Sequence, residues 1–356
     1  MPDTFLAILS VRNEAGFLLE WLAHHRACGF GEFLVFSNDC QDGTDAMLDR
    51  LAEMGLVVHK RNEGPYDAQG IQFTALNRAS DLPVVRRADW VLPLDVDEFV
   101  NIHVGDRTVQ ALTRALPEAT AITLTWRLFG NAGIVPYEDK PITEQFTHAA
   151  PEILYWPWRS AMFKTLHRND GSYGKLGVHR PREPRADRLA DARWFDGEGR
   201  ELDDKFKTTR IFSNYGQPNY KLAQLNHYPL GAMESYLLKA DRGRAVHSDH
   251  MLGMDYWVER NWCVEEDRSI HAMTPKMRAE LAALMADPVL AELHENAVAW
   301  RKSRLVELLE HEPYRALMGR LMMTPPARPV PPQAARYLTQ HARRAQELST
   351  KPPTKP

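Results

Sequence analysis

Trp90-Val91-Leu92-Pro93-Leu94-Asp95-Val96-Asp97-Glu98-Phe99 is a short apolar run that ends in three carboxylates. An apolar run bounded by polar residues reads as a buried strand. Carboxylates left unpaired at the mouth of such a strand would be costly, so something positive should sit among them. A hard divalent cation, Mn²⁺ or Mg²⁺, fits, because these ions prefer carboxylate oxygens and share coordination with phosphates. Alternation along an extended segment points Asp95 and Asp97 the same way, so one ion could meet both. The plainer alternative is an acidic turn, solvated or paired with Arg86 and Arg87.

Upstream, the pattern alternates between strand and helix. Phe5 to Val11 reads as a first strand, and Glu14 to Gly29 as a helix with Leu18, Leu22 and His25 on one face. Phe33 to Phe36 is a second strand. Thr44 caps a helix carrying Met47, Leu48, Leu51 and Met54 at helical spacing, which Gly55 stops. Leu56 to Val58 is a third strand, Asp67 to Ser80 a third helix, and Trp90 to Leu94 the fourth strand. Strands alternating with helices argue for a mostly parallel sheet flanked by helices, an α/β class whose ligands sit beyond the carboxyl ends of the strands.

Downstream the rhythm changes. Thr108 to Leu116 reads as a helix and Ala121 to Trp126 as a fifth strand. From Phe129 to Asn219 the chain is rich in Trp, Gly, Pro and Arg, which suits loops and short antiparallel strands. Gly231 to Arg242 returns to helix, ending at Gly243. Thr274 to Met323 is helical, with Leu281, Leu284, Leu293, Leu305, Leu308 and Leu309 as core positions. The expected divisions are a main domain over 1–243, a helical extension over 244–323 and a proline-rich basic tail over 324–356. Within the main domain, 1–101 is the nucleotide-binding half and 102–243 the acceptor half.

The 356 residues carry 44 Lys and Arg against 47 Asp and Glu, a net charge of -3. A chain that neutralises a phosphate backbone would carry a basic excess, so nucleic acid is not an expected partner. No apolar run reaches the ~20 residues of a transmembrane segment. The opening residues do not read as a secretory signal. Cys28, Cys40 and Cys263 have neither metal-like nor framework spacing. The expected location is cytoplasmic, with peripheral contact at the inner face of the membrane left open.

Four stretches in order, Val11-Arg12-Asn13-Glu14, Glu20 to His25, Ser37 to Thr44 and Leu94 to Phe99, resemble the glycosyltransferase family 2-like group related to family 92. The resemblance runs from about Phe5 to Gly243 and implies the GT-A fold. It also implies an inverting transfer of a sugar from a nucleotide-diphosphate sugar, a UDP-sugar foremost, to an acceptor hydroxyl. The acceptor would be a glycan or a lipid-linked molecule. By similarity, Asp97 ligates the metal, Asp95 reaches the ribose or the metal, and His227 in Leu225-Asn226-His227-Tyr228 completes the metal or diphosphate site. Arg12, Asn13 and Glu14 fall where the family places the base and ribose. Asn38, Asp39 and Asp42 stand in the same crevice, and Arg61 faces the base or diphosphate.

The plain alternatives are a surface salt bridge for Arg12 and Arg61 and a turn or cap for Asp42. Lys239 and Arg242 could reach the leaving diphosphate, although both are also ordinary cations for a helix C-terminus. Inversion needs a base for the acceptor proton, and the candidates are Glu144, Asp196 and Glu234. Trp126 falls where the family places sugar contacts. Trp156, Trp158, Trp194 and His179 are further candidates, with core packing as the alternative for the tryptophans.

Competing functions are a nucleotide-sugar-binding pseudoenzyme and a phosphohydrolase that uses Asp95 as nucleophile. In such phosphohydrolases the D-x-D follows the first strand, whereas here it follows the fourth. A sugar nucleotidyltransferase would carry a glycine-rich loop after the first strand, and Val11 to Glu14 contains no glycine.

Overall fold

Alternation in the first strand decides the layering. In β1 (Phe5–Val11), Phe5, Ala7, Leu9 and Val11 point to one hydrophobic cluster, while Leu6 and Ile8 point to another. β2 (Glu32–Ser37) repeats the pattern, with Phe33 and Val35 on the first face and Leu34 and Phe36 on the second. A strand buried on both faces must be covered by helices on both. Helices α1 (Ala15–Ala27) and α2 (Thr44–Glu53) cover the first face, and α3 (Ile71–Ala79) and α4 (Pro83–Arg87) the second. The computed structural model describes residues 2–68, 70–214, 216–242 and 252–350.

The remaining strands of the main sheet are β3 (Val58–Arg61), β4 (Trp90–Leu94), β5 (Glu98–Ile102), β6 (Ala121–Leu128), β7 (Phe163–Arg168), β8 (Trp194–Asp196) and β9 (Ala223–His227). Their order is β3-β2-β1-β4-β7-β6-β9-β5, with β8 beside the first half of β6. The first four run parallel, as the alternating pattern predicts. β7 is antiparallel to both β4 and β6, and β5 is antiparallel to β9, so the sheet as a whole is mixed. Its architecture is an α/β sheet flanked by helices, with a helical C-terminal extension.

Two features shape the functional end. Pro93 sits in β4, where it has no N–H to give, and the ladder from β4 to β7 ends at Val91, before it. Immediately after β4 the chain turns, with Glu98 N donating to Asp95 O at 3.1 Å, and leaves as β5. The expected extended segment through Asp95 and Asp97 is therefore corrected to a turn. Strand alternation does not operate there, and the two side chains leave in different directions.

The last helices fold back onto the sheet. α5 (Met233–Arg242), α6 (Thr274–Met285), α7 (Pro288–Leu309) and α8 (Glu312–Met323) pack on one another, α6 and α7 also lie against α1, and α7 reaches α2. Leu284, Leu305 and Leu308 are buried, while Leu281, Leu293 and Leu309 are partly so. The region expected to be one helical stretch is thus three helices, broken at Asp287 and His311. The proline-rich tail contains a helix, Pro332–Thr350. Gly243, the expected stop of α5, and the side chain of Trp158 lie outside the described residues, as do residues 351–356. Among the described residues no helix is long and apolar enough to cross a membrane.

Candidate functional site

The turn after β4 and one face of α5 line a cleft of about 590 Å³, open solvent at its mouth included. Asn13, Glu14, Asp97, Lys239 and Arg242 line it. α1 supplies Phe17, and α7 supplies Trp300 and Arg301.

Asp97 is the centre of this group. Its Oδ2 accepts from Lys239 Nζ at 2.7 Å, and its Oδ1 lies 3.6 Å from His227 Nε2. Burial alone would raise its carboxyl, but Lys239 and His227 hold it well below the ordinary value. Lys239 is in turn kept above its usual range by Asp97, against the opposing effect of burial, and it also donates to Pro229 O. His227 is lowered by burial, with Asp97 pulling the other way, and its Nδ1 is buried without a partner. β9 delivers His227, and Tyr228 N donates to Asp97 O, which locks β9 to the turn.

Asp95 faces elsewhere. Its Oδ1 accepts from Gln72 Nε2 at 2.7 Å and its Oδ2 from Lys164 Nζ at 2.9 Å. Lys164 on β7 is fully buried and also reaches Glu98 at 3.3 Å. Glu98 accepts from Trp126 Nε1 at 2.6 Å, and burial pushes its carboxyl up, to about 8. The Trp126 ring packs against His227 with centroids 4.4 Å apart. His179 touches the other side of this group, 5.7 Å from Trp126.

The expected metal set was Asp95, Asp97 and His227. Two cis ligands of an octahedral ion, each about 2.1 Å from it, stand about 3 Å apart. Asp97 Oδ1 and His227 Nε2, at 3.6 Å, suit that spacing, and diphosphate and water would complete the shell. Asp95 makes other contacts here, one oxygen accepting from Gln72 and the other from Lys164. Among the described residues no group of three or more His, Cys, Asp or Glu could hold a metal.

Other expected residues hold the fold around the cleft. Asn13 takes a left-handed φ of 54°, which asparagine tolerates, and its Oδ1 accepts from Gln41 N. Glu14 pairs with Arg242, whose guanidinium also donates to Arg12 O, while Arg12 donates back to Arg242 O. Asn38 donates to Ser10 Oγ and Val11 O and accepts from Asn62. Asp42 accepts from Ala15 N at the start of α1 and from Thr44 N and Oγ1 at the start of α2. The capping expected of Thr44 is therefore done largely by Asp42. Asp39 accepts from Tyr66 at the surface, and Arg61 pairs with Asp49 there. Arg86 and Arg87 pair with Asp81 and Glu32, away from the acidic turn.

The three base candidates do not line the cleft. Glu144 is tied to Arg278 at 2.5 Å, and Asp196 is buried with Arg200 and two backbone amides. Glu234 accepts from Tyr137 N. Trp194 is core, buried beneath Tyr173 and Phe163.

Lys164 and Arg301 escaped the sequence reading. Lys164 is one of several polar residues in Phe163–Arg168, beside Thr165, His167 and Arg168, so nothing in the sequence singles it out. Arg301 gives one, since it shares the helical spacing of the buried Ala297, Leu305 and Leu308, a place where a cation is costly.

The likeness is to glycosyltransferase family 92. A family 92 protein of Oryza sativa subsp. japonica is 27% identical over 150 residues, which is 40% of this chain and 24% of that protein. One of Ricinus communis is 23% identical over 151 residues, covering 41% and 26%. The chain thus matches about a quarter of the length of these curated relatives. No family model matches it. Among solved structures, S. aureus TarS residues 1–349 in complex with UDP is 16% identical, covers 46% of each chain and has a TM-score of 0.28.

Proposed function

We propose that this chain transfers a sugar, with inversion, from a nucleotide-diphosphate sugar, a UDP-sugar foremost, to the hydroxyl of a glycan or lipid-linked acceptor. The observation that carries the reading is Asp97 at the floor of the cleft, held between Lys239 and His227. The family 92 likeness supports it.

Displacement at the anomeric carbon leaves charge on the departing diphosphate. Lys239 is already fixed at 2.7 Å from Asp97, so a phosphoryl oxygen entering the cleft meets a pre-oriented ammonium. Such preorganised charge stabilises the transition state without reorganisation at the moment of reaction. Asp97 and His227 would hold Mn²⁺ or Mg²⁺, which when bound supplies Lewis-acid stabilisation of the same charge. Asp95, which is partly exposed, is braced by the buried Lys164, and Lys164 also reaches Glu98, which accepts from Trp126 behind His227.

The test is a thermal-shift series with UDP-sugars, with and without Mn²⁺, followed by an assay of transfer and slow donor hydrolysis. A ligand that binds only the folded state raises the melting temperature. Asp97→Ala should cut turnover roughly a thousandfold, the scale of losing preorganised charge stabilisation. Full turnover in that variant would sink the proposal. Binding of donor without any transfer or hydrolysis would favour the pseudoenzyme.

A further inference from the structure

The cleft's charges can be matched one to one. Glu14 is paired with Arg242 and Asp97 with Lys239. The third carboxylate of the lining, Asp241, accepts from Arg304 and from Tyr314 OH. One lining cation is left over. Among the described residues Arg301 makes no ion pair, though it is 3% exposed. Its Nη2 donates to Ser235 Oγ at 3.2 Å, and its Nε is buried without a partner.

The shaft of Arg301 is held by packing. Its guanidinium lies 4.4 Å from the Phe17 ring centre and 4.7 Å from that of Tyr137. Gly16 leaves room for it, since a Cβ there would stand 2.9 Å from Arg301 Cδ. Gly16 lies in the first turn of α1, whose first amide, Ala15 N, is already taken by Asp42. Burial pushes the guanidinium below its usual value, although Tyr137, Glu14 and Asp42 pull the other way from beyond ion-pair distance. A buried guanidinium with no directly paired carboxylate is unfavourable unless an anion arrives.

We propose that Arg301, carried into the cleft by the C-terminal extension, is a phosphoryl-binding residue. A planar guanidinium suits phosphoryl oxygens. The identity of the phosphoryl group as the donor's diphosphate rests on the transferase reading. The extension is then part of the binding site rather than an appendage.

Titration calorimetry of the full chain with inorganic pyrophosphate and with UDP, in wild type, Arg301→Met and Arg301→Lys, tests this. Methionine keeps an unbranched stem against Phe17 and Tyr137 and removes the charge. Both ligands should bind Arg301→Met roughly tenfold to a hundredfold more weakly, the worth of a charge-assisted hydrogen bond, and lysine should restore part of the loss. The ligand-free melting temperature of Arg301→Met should rise, since a buried uncompensated charge is gone. Unchanged pyrophosphate binding in Arg301→Met overturns the proposal. So does a fall in melting temperature accompanying the loss, which marks a structural brace. Pyrophosphate binding through Arg301 without binding of UDP or a UDP-sugar upholds the phosphoryl site and overturns the transferase reading.

Discussion

Two sets of polar side chains stand at the carboxyl ends of this sheet and look alike in sequence. One follows β2 and β3: Asn38, Asp42 and Arg61. The other surrounds the turn after β4: Asp97, His227, Lys239 and Arg301. In the first set each group finds its partners within the fold. Asn38 and Asp42 spend their hydrogen-bonding capacity on backbone and neighbouring side chains, and Arg61 closes on Asp49. In the second set buried atoms remain unpartnered, namely His227 Nδ1 and Arg301 Nε, and the side chains line or abut a cleft. Polar groups satisfied by the fold contribute to stability, and those left over can contribute to binding.

The largest effect on the satisfied side should come from the histidines that bolt α1 to β5. His24 Nε2 donates to Val100 O at 2.8 Å, and His25 accepts from Val100 N. Burial lowers the His24 imidazole from 6.5 to about 4, and His25 moves the same way. The unfolded chain therefore takes up a proton at higher pH than the folded one. Stability present above pH 6.5 is lost as pH falls toward 4, on the order of 3 kcal/mol for His24 alone. Urea unfolding at pH 7 and pH 5 should show about 2 kcal/mol of that loss, and His24→Gln, which keeps a donor for Val100 O, should reduce it. An unchanged pH slope in the variant would break the assignment of this histidine to the fold.

Next in size is Asp42→Ala. It strands the amides of Ala15 and Thr44 at two helix starts, at a cost of about 2 kcal/mol. Denaturant midpoints would report the loss, and UDP affinity, corrected for the folded fraction, should stay near wild type. A specific loss of UDP affinity would move Asp42 into the second set.

Strands β1, β2 and β4 were legible as apolar runs, helped by the glycine stops after α1 and α2, whereas the third strand, expected over Leu56 to Val58, lies at Val58–Arg61 and carries His59, Lys60 and Arg61, which give no apolar signal. Asp97 and His227 were legible as a pair because the order of the quoted stretches resembles a known family. The direction of Asp95 was not, since a turn and a strand of the same composition aim side chains differently, and only the pairing of β5 with β9 forces the turn. Lys164 was invisible because nothing local shows that β7 would run beside β4. Arg301 lies 204 positions from Asp97 in sequence, and its role depends on how α7 folds back. Its place on a buried helical face was the one available clue.

The smallest expected effect separates the two sets most sharply, because Arg61 and Arg301 carry the same functional group. Arg61 is 52% exposed and its partner Asp49 50%, so water screens the pair and supplies replacement hydrogen bonds when one member is removed. Exposed pairs of this kind contribute about 0–1 kcal/mol. Arg61→Ala should therefore leave the denaturant midpoint close to wild type and leave pyrophosphate and UDP binding unchanged, read by the same calorimetry as Arg301→Met. If Arg61→Ala weakened UDP as much as Arg301→Met does, exposure and pairing would not be what separates ligand-facing arginines from surface ones in this protein. The crevice beyond β3 would then belong to the donor site, as the family resemblance implies.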